Sequence, residues 1–497
     1  MVASLPLCAA ILSNKNNKYL SYVKEGKTHK HLRFSGEEIV SRSTKFAIER
    51  SSKEDDENTE LVHLRCCHNN KYLVKKSEAE GWIIAAAEKP EEDESLWSST
   101  LFEPIIVENH DGYGRTVLRF KHVQSQLYAS LSKDDDDDDD SLSKCLQLRE
   151  EVEDVINSSD VVTIIDWGTL VILPKRVAFK STTHGKYLVT SSDDQRSSAH
   201  PCIRSSVDDK EDARVIHEVY TNPDGTLSIK SCDADGFWTS HEGGEIDVEP
   251  FADSTNTDEQ KLATMEIQKG IFQTFLPIKI SSNEIALRGL PLNKFCLIDG
   301  SSKELVCKAN SILRETKFVV EEVVISREVS NIEYHLDDAR IYDEATVVLS
   351  TNIIHNTSEN AFTTEYSFRF VDKRISRWTN GGSLSLGVPV NIKSAGIPFI
   401  TENGIEISGD QFTGTYEWGE SKTETNEKEL TYNTSVPPMT KATIRLVSSS
   451  GTCDVPFSYS VREVHVDGKT VVYSMDDGVF TGINFYKLQT QMETKPI

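Results

Sequence analysis

Asn16-Asn17-Lys18-Tyr19-Leu20 and, 53 residues later, Asn69-Asn70-Lys71-Tyr72-Leu73 are the stretches that decide the fold. Each follows a short apolar run, Ala9 to Leu12 and Leu61 to Leu64, so the repeating unit reads as strand, turn, strand. A weaker copy is Ser125-Gln126-Leu127-Tyr128, after Val117 to Phe120. The unit restarts at His184-Gly185-Lys186-Tyr187-Leu188 and returns as Asp235-Gly236-Phe237-Trp238 and Leu292-Asn293-Lys294-Phe295-Cys296. Asn, Asp and Gly at the turn tolerate positive φ, which a tight strand-to-strand turn needs. Three such units in roughly 150 residues are the pattern of a β-trefoil, because one unit cannot bury its own apolar face. Six copies predict two trefoils in tandem, over residues 1–155 and 173–323. Between them, 156–172 is expected to be a short helical linker, with Val161 to Ile172 around Asp166-Trp167 as the helix. After residue 323 the unit disappears and long Ser/Thr-rich alternating runs begin, such as Ala345 to Ile354 and Thr363 to Val371. Residues 324–497 are therefore expected to form a third, elongated β domain, and the fold class is all-β.

Composition narrows the function. Among 497 residues, 54 Lys and Arg stand against 79 Asp and Glu, a net charge of −25. Such a chain lacks the basic footprint that nucleic-acid phosphates require. Seven of the acids, Asp134 to Asp140, form one run, read as a solvated loop. No apolar run approaches the ~18 residues of a membrane-spanning helix. The N-terminus has no positive n-region and passes straight into a strand pattern, so it reads as the first strand of a domain. The nine cysteines are scattered, with no CxxC, as expected of reduced thiols in a cytoplasmic or nucleocytoplasmic chain. HExxH, GxSxG, P-loop and GxGxxG motifs are absent, and the Asp233-Ala234-Asp235-Gly236 stretch lacks the distal Glu of a calcium loop. No catalytic residue, metal or cofactor is expected, and the chain does not read as an enzyme.

One segment has a signature of its own. Ser383 to Lys393 alternates strictly, with Leu384, Leu386, Val388, Val390 and Ile392 on one face and Ser383, Ser385, Gly387, Pro389, Asn391 and Lys393 on the other. Nine residues at period two match a membrane-crossing β-strand, which needs about 9–11. A turn with Ile397 and Phe399 follows, and a return strand carries Ile405 and Ile407, interrupted by Glu402 and Asn403. The alternation equally suits a half-buried hairpin in a soluble sheet, and Pro389 suggests an edge strand.

Two resemblances build on these residues. The segment Leu61-Val62-His63-Leu64, Asn69 to Val74, Trp82, Pro90 to Asp93, Trp97 and Thr100 to Pro104, with the linker Val161 to Leu170, resembles the amaranthin-type seed lectins over roughly residues 4 to 305. That resemblance implies two β-trefoils joined by a short helix and binding of galactose/GalNAc-type glycans. Trp82 falls on the tryptophan of the amaranthin sugar loop, which implies that it stacks on a sugar. Amaranthin has an Asn and an aromatic just before it; here the loop reads Ser77-Glu78-Ala79-Glu80-Gly81, leaving Glu80 and Ser77 to bond sugar hydroxyls. Trp238 is a second stacking candidate, while Trp97 and Trp167 are assigned to packing. From residue 324, Trp378-Thr379, Gly396 to Phe399, Tyr416 to Ser421, Val436-Pro437-Pro438, Asp454 to Tyr459 and Asp477-Gly478-Val479 resemble the aerolysin-type pore-forming module. In that family the hairpin between the Trp-Thr and Tyr-x-Trp strands refolds and joins copies from neighbouring protomers in a transmembrane barrel. The resemblance therefore implies that Leu384, Leu386, Val388, Val390 and Ile392 face lipid while Ser383, Ser385, Asn391 and Lys393 line the pore, and that the chain is a glycan-targeted homo-oligomeric pore former of plant defence or stress. The alternative is a soluble multivalent lectin whose third domain only drives oligomerisation.

Overall fold

The computed structural model describes residues 5–52, 60–108, 115–132, 142–150, 157–192, 200–250, 271–381 and 388–497. The acidic run Asp134 to Asp140, and Leu384 and Leu386 with Ser383, Ser385 and Gly387, lie outside the described residues. Among the described residues there is no α-helix; the elements are strands and single 3₁₀ turns.

Six strands close the first barrel. Cys8–Ser13 pairs with Lys45–Arg50, which pairs with Val62–Cys66, then Leu101–Glu108, then Arg115–His122, then Val162–Asp166, which returns to Cys8–Ser13. Three hairpins cap one end: Tyr19–Tyr22 with Leu32–Gly36, Lys71–Lys75 with Ile83–Ala87, and Tyr128–Leu131 with Leu146–Arg149. This is a β-trefoil. Single bridges tie each hairpin to the next: His31 to Ile84, Arg33 to Cys145 and Trp82 to Gln147. The second barrel repeats the ring with Arg176–Ser181, His217–Thr221, Leu227–Ser231, Phe275–Lys279, Glu284–Gly289 and Lys317–Glu322.

The repeat has a stereochemical basis. The residue two positions before the aromatic has positive φ in all six units: Asn17, Asn70, Gln126, Gly185, Asp235 and Asn293, between 52° and 67°. Side chains, where short and polar, stabilise the turn: Asn16 and Asn69 each accept the backbone N–H two residues on. The next apolar residue of the unit then points into the barrel, so Leu20, Leu73, Leu188, Trp238 and Cys296 all belong to the two barrel cores.

The expected helical linker is corrected. Val162–Asp166 is the closing strand of the first barrel, and only Trp167–Thr169 forms a 3₁₀ turn, capped by the Asp166 carboxylate on Gly168 N–H at 2.8 Å. The run Val161-Val162-Thr163-Ile164-Ile165 is β-branched throughout, and such side chains favour a strand with partners on both sides. Here Cys8–Ser13 and Arg115–His122 supply them.

The third domain is built on two very long strands, Thr440–His465 and Thr470–Pro496, paired along nearly their whole length. At about 3.3 Å per residue they span roughly 80 Å. Near the trefoils the sheet is widened by Val324–Tyr334, Val390–Ser394 and Phe412–Tyr416; farther out, Arg340–Asn356 pairs with the first half of Thr440–His465. Phe362–Thr379 and Ser421–Val436 form a second long pair. Its inward residues Phe368, Phe370 and Val436 pack on Ala442, Ile444 and Leu446, so the distal part is a narrow two-layer sandwich.

Candidate functional site

Two regions carry the functional expectations: the cap of the first trefoil and the hairpin region of the third domain. In the cap, the loop 76–81 joins the strands of the second hairpin beside Leu146–Arg149. Leu148 N–H donates to Gly81 O at 2.7 Å, and Lys76 N–H donates to Trp82 O at 2.8 Å. Glu78, Ala79 and Glu80 are exposed. Ser77 Oγ accepts from Glu80 N–H at 3.3 Å, and the Glu80 carboxylate lies 3.0 Å from Lys76 Nζ. Trp82 sits at the base of this loop, 9 % exposed, its backbone bridged to Gln147. The structure thus brings Ser77, Glu80 and Trp82 together on one loop, with the acid outward and the indole mostly packed.

Trp238 lies elsewhere. It occupies the Leu position of its repeat unit and is fully buried, 5.0 Å from the His217 ring centroid and 5.4 Å from that of Phe179. No ring face is open to a sugar, so the reading of Trp238 as a stacking residue is corrected to core packing. The register explains it: residues at that position point into the barrel. By contrast Trp97, assigned to packing, is 38 % exposed on the loop before Leu101, beside the exposed Leu96.

In the third domain, Val390–Ser394 lies between Val324–Tyr334, parallel, and Phe412–Tyr416, antiparallel. It is an internal strand, not the edge strand that Pro389 suggested; Pro389 stands just before its first residue, where no ladder donor is lost. Alternation holds in the strand. Val390 and Ile392 are fully buried against Trp378, Tyr416, Phe457 and Phe480, while Lys393 is exposed and pairs with Glu328 at 2.6 Å. Val388 is half-buried ahead of the strand.

The return strand also differs from expectation. Gly404–Ile407, with Ile405 half-buried and Ile407 exposed, pairs with Pro398–Thr401, and Glu402-Asn403 is the two-residue turn between them. What looked like an interruption is a tight hairpin, helped by Gly404 at φ 120°. Ile397 N–H donates to Ser408 Oγ and Ser408 N–H to Ile397 O, both at 3.0 Å, closing its base. Phe399 is half-buried on this hairpin, and Ile400 and Ile405 pack against Ile341, Cys453, Val455 and Tyr486 of the main sheet, where one side chain also supplies hydrogen bonds. Asn484 Oδ1 accepts Ile400 N–H and Asn484 Nδ2 donates to Ile400 O, each at 2.9 Å, with Ile400 buried.

The cap and the third domain meet, a contact that no sequence signal marked. Asn70 Nδ2 donates to Asp454 Oδ2 at 2.6 Å. Arg340 donates to the carbonyls of Asn70 and Glu88, and its guanidinium stacks 5.0 Å from the Tyr72 ring. Tyr22 donates to Asp338 at 2.6 Å, with His29 and His68 at 3.5 and 3.7 Å from the same carboxylate. Burial alone would raise the Asp338 pKa; the His68 and Tyr22 contacts outweigh it and hold it at about 2. Burial lowers that of His68. The Asn-Asn-Lys-Tyr turn that revealed the repeat is therefore, in the second unit, also the seat of the third domain.

Residues 3–166 match the Agglutinin domain family. The agglutinin domain thus coincides with the first trefoil through its closing strand. Natterin-2 of Thalassophryne nattereri is 24 % identical over 170 residues, 34 % of this chain and 44 % of Natterin-2, so the chain spans less than half of that relative. Among solved structures, the lamprey immune protein covers 66 % of the chain at 11 % identity and a TM-score of 0.29, using 91 % of its own length. The hemolytic lectin CEL-III covers 99 % at 8 % identity and a TM-score of 0.28, using 95 % of its own length. An aerolysin-like protein of Bombina maxima covers 34 % at 16 % identity and a TM-score of 0.24, using 99 % of its own length.

Proposed function

We propose that this chain is a glycan-binding protein whose trefoils bring an aerolysin-type β-hairpin to membranes bearing galactose/GalNAc-type glycans, where copies assemble and insert. Ser77 and Glu80 on the outward loop of the agglutinin domain bond sugar hydroxyls beside Trp82, and clustered glycans raise avidity. Assembly removes free strand edges, which lipid does not tolerate. The observation that supports this most is the hairpin region. A strand whose inward face carries the fully buried Val390 and Ile392 leads into a hairpin held to the sheet in part by the Asn484 amide. The face now packed in the core is the face that lipid would receive. The setting we propose is plant defence or stress response, with the chain held in the cytoplasm or nucleus and acting at membranes once released.

A second reading has its own support. Val390–Ser394 is bonded to strands on both sides, as in a permanent sheet, and Glu402 and Glu406 sit on the hairpin. On that reading the chain is a soluble multivalent lectin. Calcein release from liposomes carrying GalNAc glycolipid separates the two. The pore reading expects leakage that free GalNAc blocks, that Leu386→Asp abolishes, and that Trp82→Ala and Glu80→Ala reduce through weaker binding. Binding to the same liposomes without leakage leaves the soluble lectin. Retained binding in Trp82→Ala, with loss in Trp97→Ala, moves the sugar site to the exposed tryptophan.

A further inference from the structure

Each cap hairpin sets the Leu position of its repeat unit opposite one cross-strand partner. The pairs are Leu20 with Phe34, Leu73 with Ala85, Ala129 with Leu148, Leu188 with Ser205 and Trp238 with Val248. In the sixth hairpin, Lys294–Ile298 with Leu305–Ala309, the pair is Cys296 with Cys307. Cys307 N–H is turned away from its partner strand and donates to Gly244 O at 2.7 Å. The two cysteines are therefore a non-hydrogen-bonded pair, the class whose Cα atoms approach to about 4.5 Å. That lies within the ~4.4–6.8 Å a disulfide spans. Both side chains are buried in the second barrel core and their sulfurs lie 2.7 Å apart, about 0.7 Å beyond a covalent S–S bond.

We propose that Cys296 and Cys307 are a disulfide site, bonded when the chain folds or opens locally in an oxidising medium and free in a reducing one. Burial and the neighbouring thiol push the Cys296 pKa well up, so thiolate is scarce in the closed hairpin and the reaction belongs to its open state. With glutathione disulfide as oxidant, the Cys296 thiolate attacks one glutathione sulfur and expels a glutathione thiolate. The Cys307 thiolate then attacks the Cys296 sulfur of the mixed disulfide and expels the second. The protein thiols lose two electrons, one glutathione disulfide becomes two thiols, and the two protons pass to them. The bond would lock a hairpin that touches both others of its cap, through Val306 bridged to Glu245 and Glu304 bonded to Arg204 at 2.8 Å.

The test uses the full chain, refolded from denaturant in a reduced/oxidised glutathione mixture, alkylated and digested with trypsin. Lys303 separates the two cysteines, so the bond appears as a linked pair of peptides lighter by two hydrogens, and dithiothreitol restores two alkylated ones. The oxidised chain should also melt at a higher temperature than the reduced chain, a difference absent from Cys307→Ala. Full alkylation of both cysteines after oxidative refolding overturns the proposal. So does linkage of Cys8 to Cys67, whose thiols also interact, with Cys296 and Cys307 left free. The peptide map reads the wild-type chain and does not depend on a variant that folds.

Discussion

At the Leu position of the middle repeat the first trefoil carries Leu73 and the second carries Trp238; opposite them stand Ala85 and Val248. Where the first barrel has Phe46, across from Ala9, the second has His217, across from Val177. One topology thus holds two kinds of core. The first is aliphatic and aromatic at these slots, and its cap outside is committed to the third domain through Tyr22, Asn70 and Tyr72. The second packs an indole, an imidazole and a thiol pair inside, and meets the third domain by the buried Arg327–Glu322 pair at 2.8 Å, by Val466 N–H donating to Val323 O and by the Arg176–Asp467 pair at 3.7 Å. A trefoil tolerates this because each inward slot is filled by one residue from each repeat, so volume can be traded between strands while the turn chemistry keeps the register.

The sharpest way to break the comparison is to truncate the same slot in both barrels. Trp238→Ala should cost about 3–5 kcal/mol, at or above the roughly 2–5 kcal/mol of Leu73→Ala, because the larger ring leaves the larger cavity. Urea unfolding followed by tryptophan fluorescence and circular dichroism would show it, and an equal or smaller loss at Trp238 would mean that the second barrel collapses around the gap. Next comes pH. His217 Nε2–H donates to Leu188 O at 3.1 Å, Nδ1 has no partner among the described residues, and burial lowers the pKa to about 4. The folded value lies below the unfolded one near 6.5, so the stability it contributes is present above pH 6.5 and is lost as pH falls through 4. The loss should approach roughly 3 kcal/mol, and His217→Phe, copying Phe46, should remove that part of the acid sensitivity. Thermal melts between pH 7 and 4 decide it. Third, Arg340→Ala should weaken the seat of the third domain on the first trefoil by ~2 kcal/mol, since the buried Asn70 carbonyl and the partly exposed Glu88 carbonyl lose a charged donor. Calorimetry should then resolve the first trefoil and the third domain as separate transitions. The smallest effect is expected at Glu80→Ala, within about 0.5 kcal/mol in stability because the Lys76 pair is exposed, although glycan binding should fall.

The repeat was legible because its turn is a local stereochemical demand, a left-handed residue two positions before an aromatic, and local demands leave local marks. Gln126, the least suited of the six to positive φ, was also the weakest copy. Val161 to Ile172 misled for the opposite reason. A strand that closes a barrel borrows both partners from residues about 50 and 150 positions away, and nothing nearby distinguishes it from a short buried helix. Asn70 and Asp454 meet across 384 residues of chain and Asn484 reaches Ile400 across 84, so neither contact has a signature in the sequence. On the loop of the first cap, proximity in sequence was enough for Ser77, Glu80 and Trp82. For Trp238 the inward position follows from counting along the unit: it stands three residues after the left-handed Asp235, as Leu73 stands three after Asn70.

The Asn484 amide has a consequence for timing. Most of the long sheet is held as a zipper, in which no rung can open far ahead of its neighbours. The 398–407 hairpin is held as a button: the Asn484 side chain takes the place of a strand, satisfying one N–H and one C=O, and Ile400 and Ile405 press into a small apolar cluster with Ile341, Cys453, Val455 and Tyr486. Its release is local, the amide bonds and that one cluster parting together, and amide exchange at Ile400 should report it ahead of the flanking ladder.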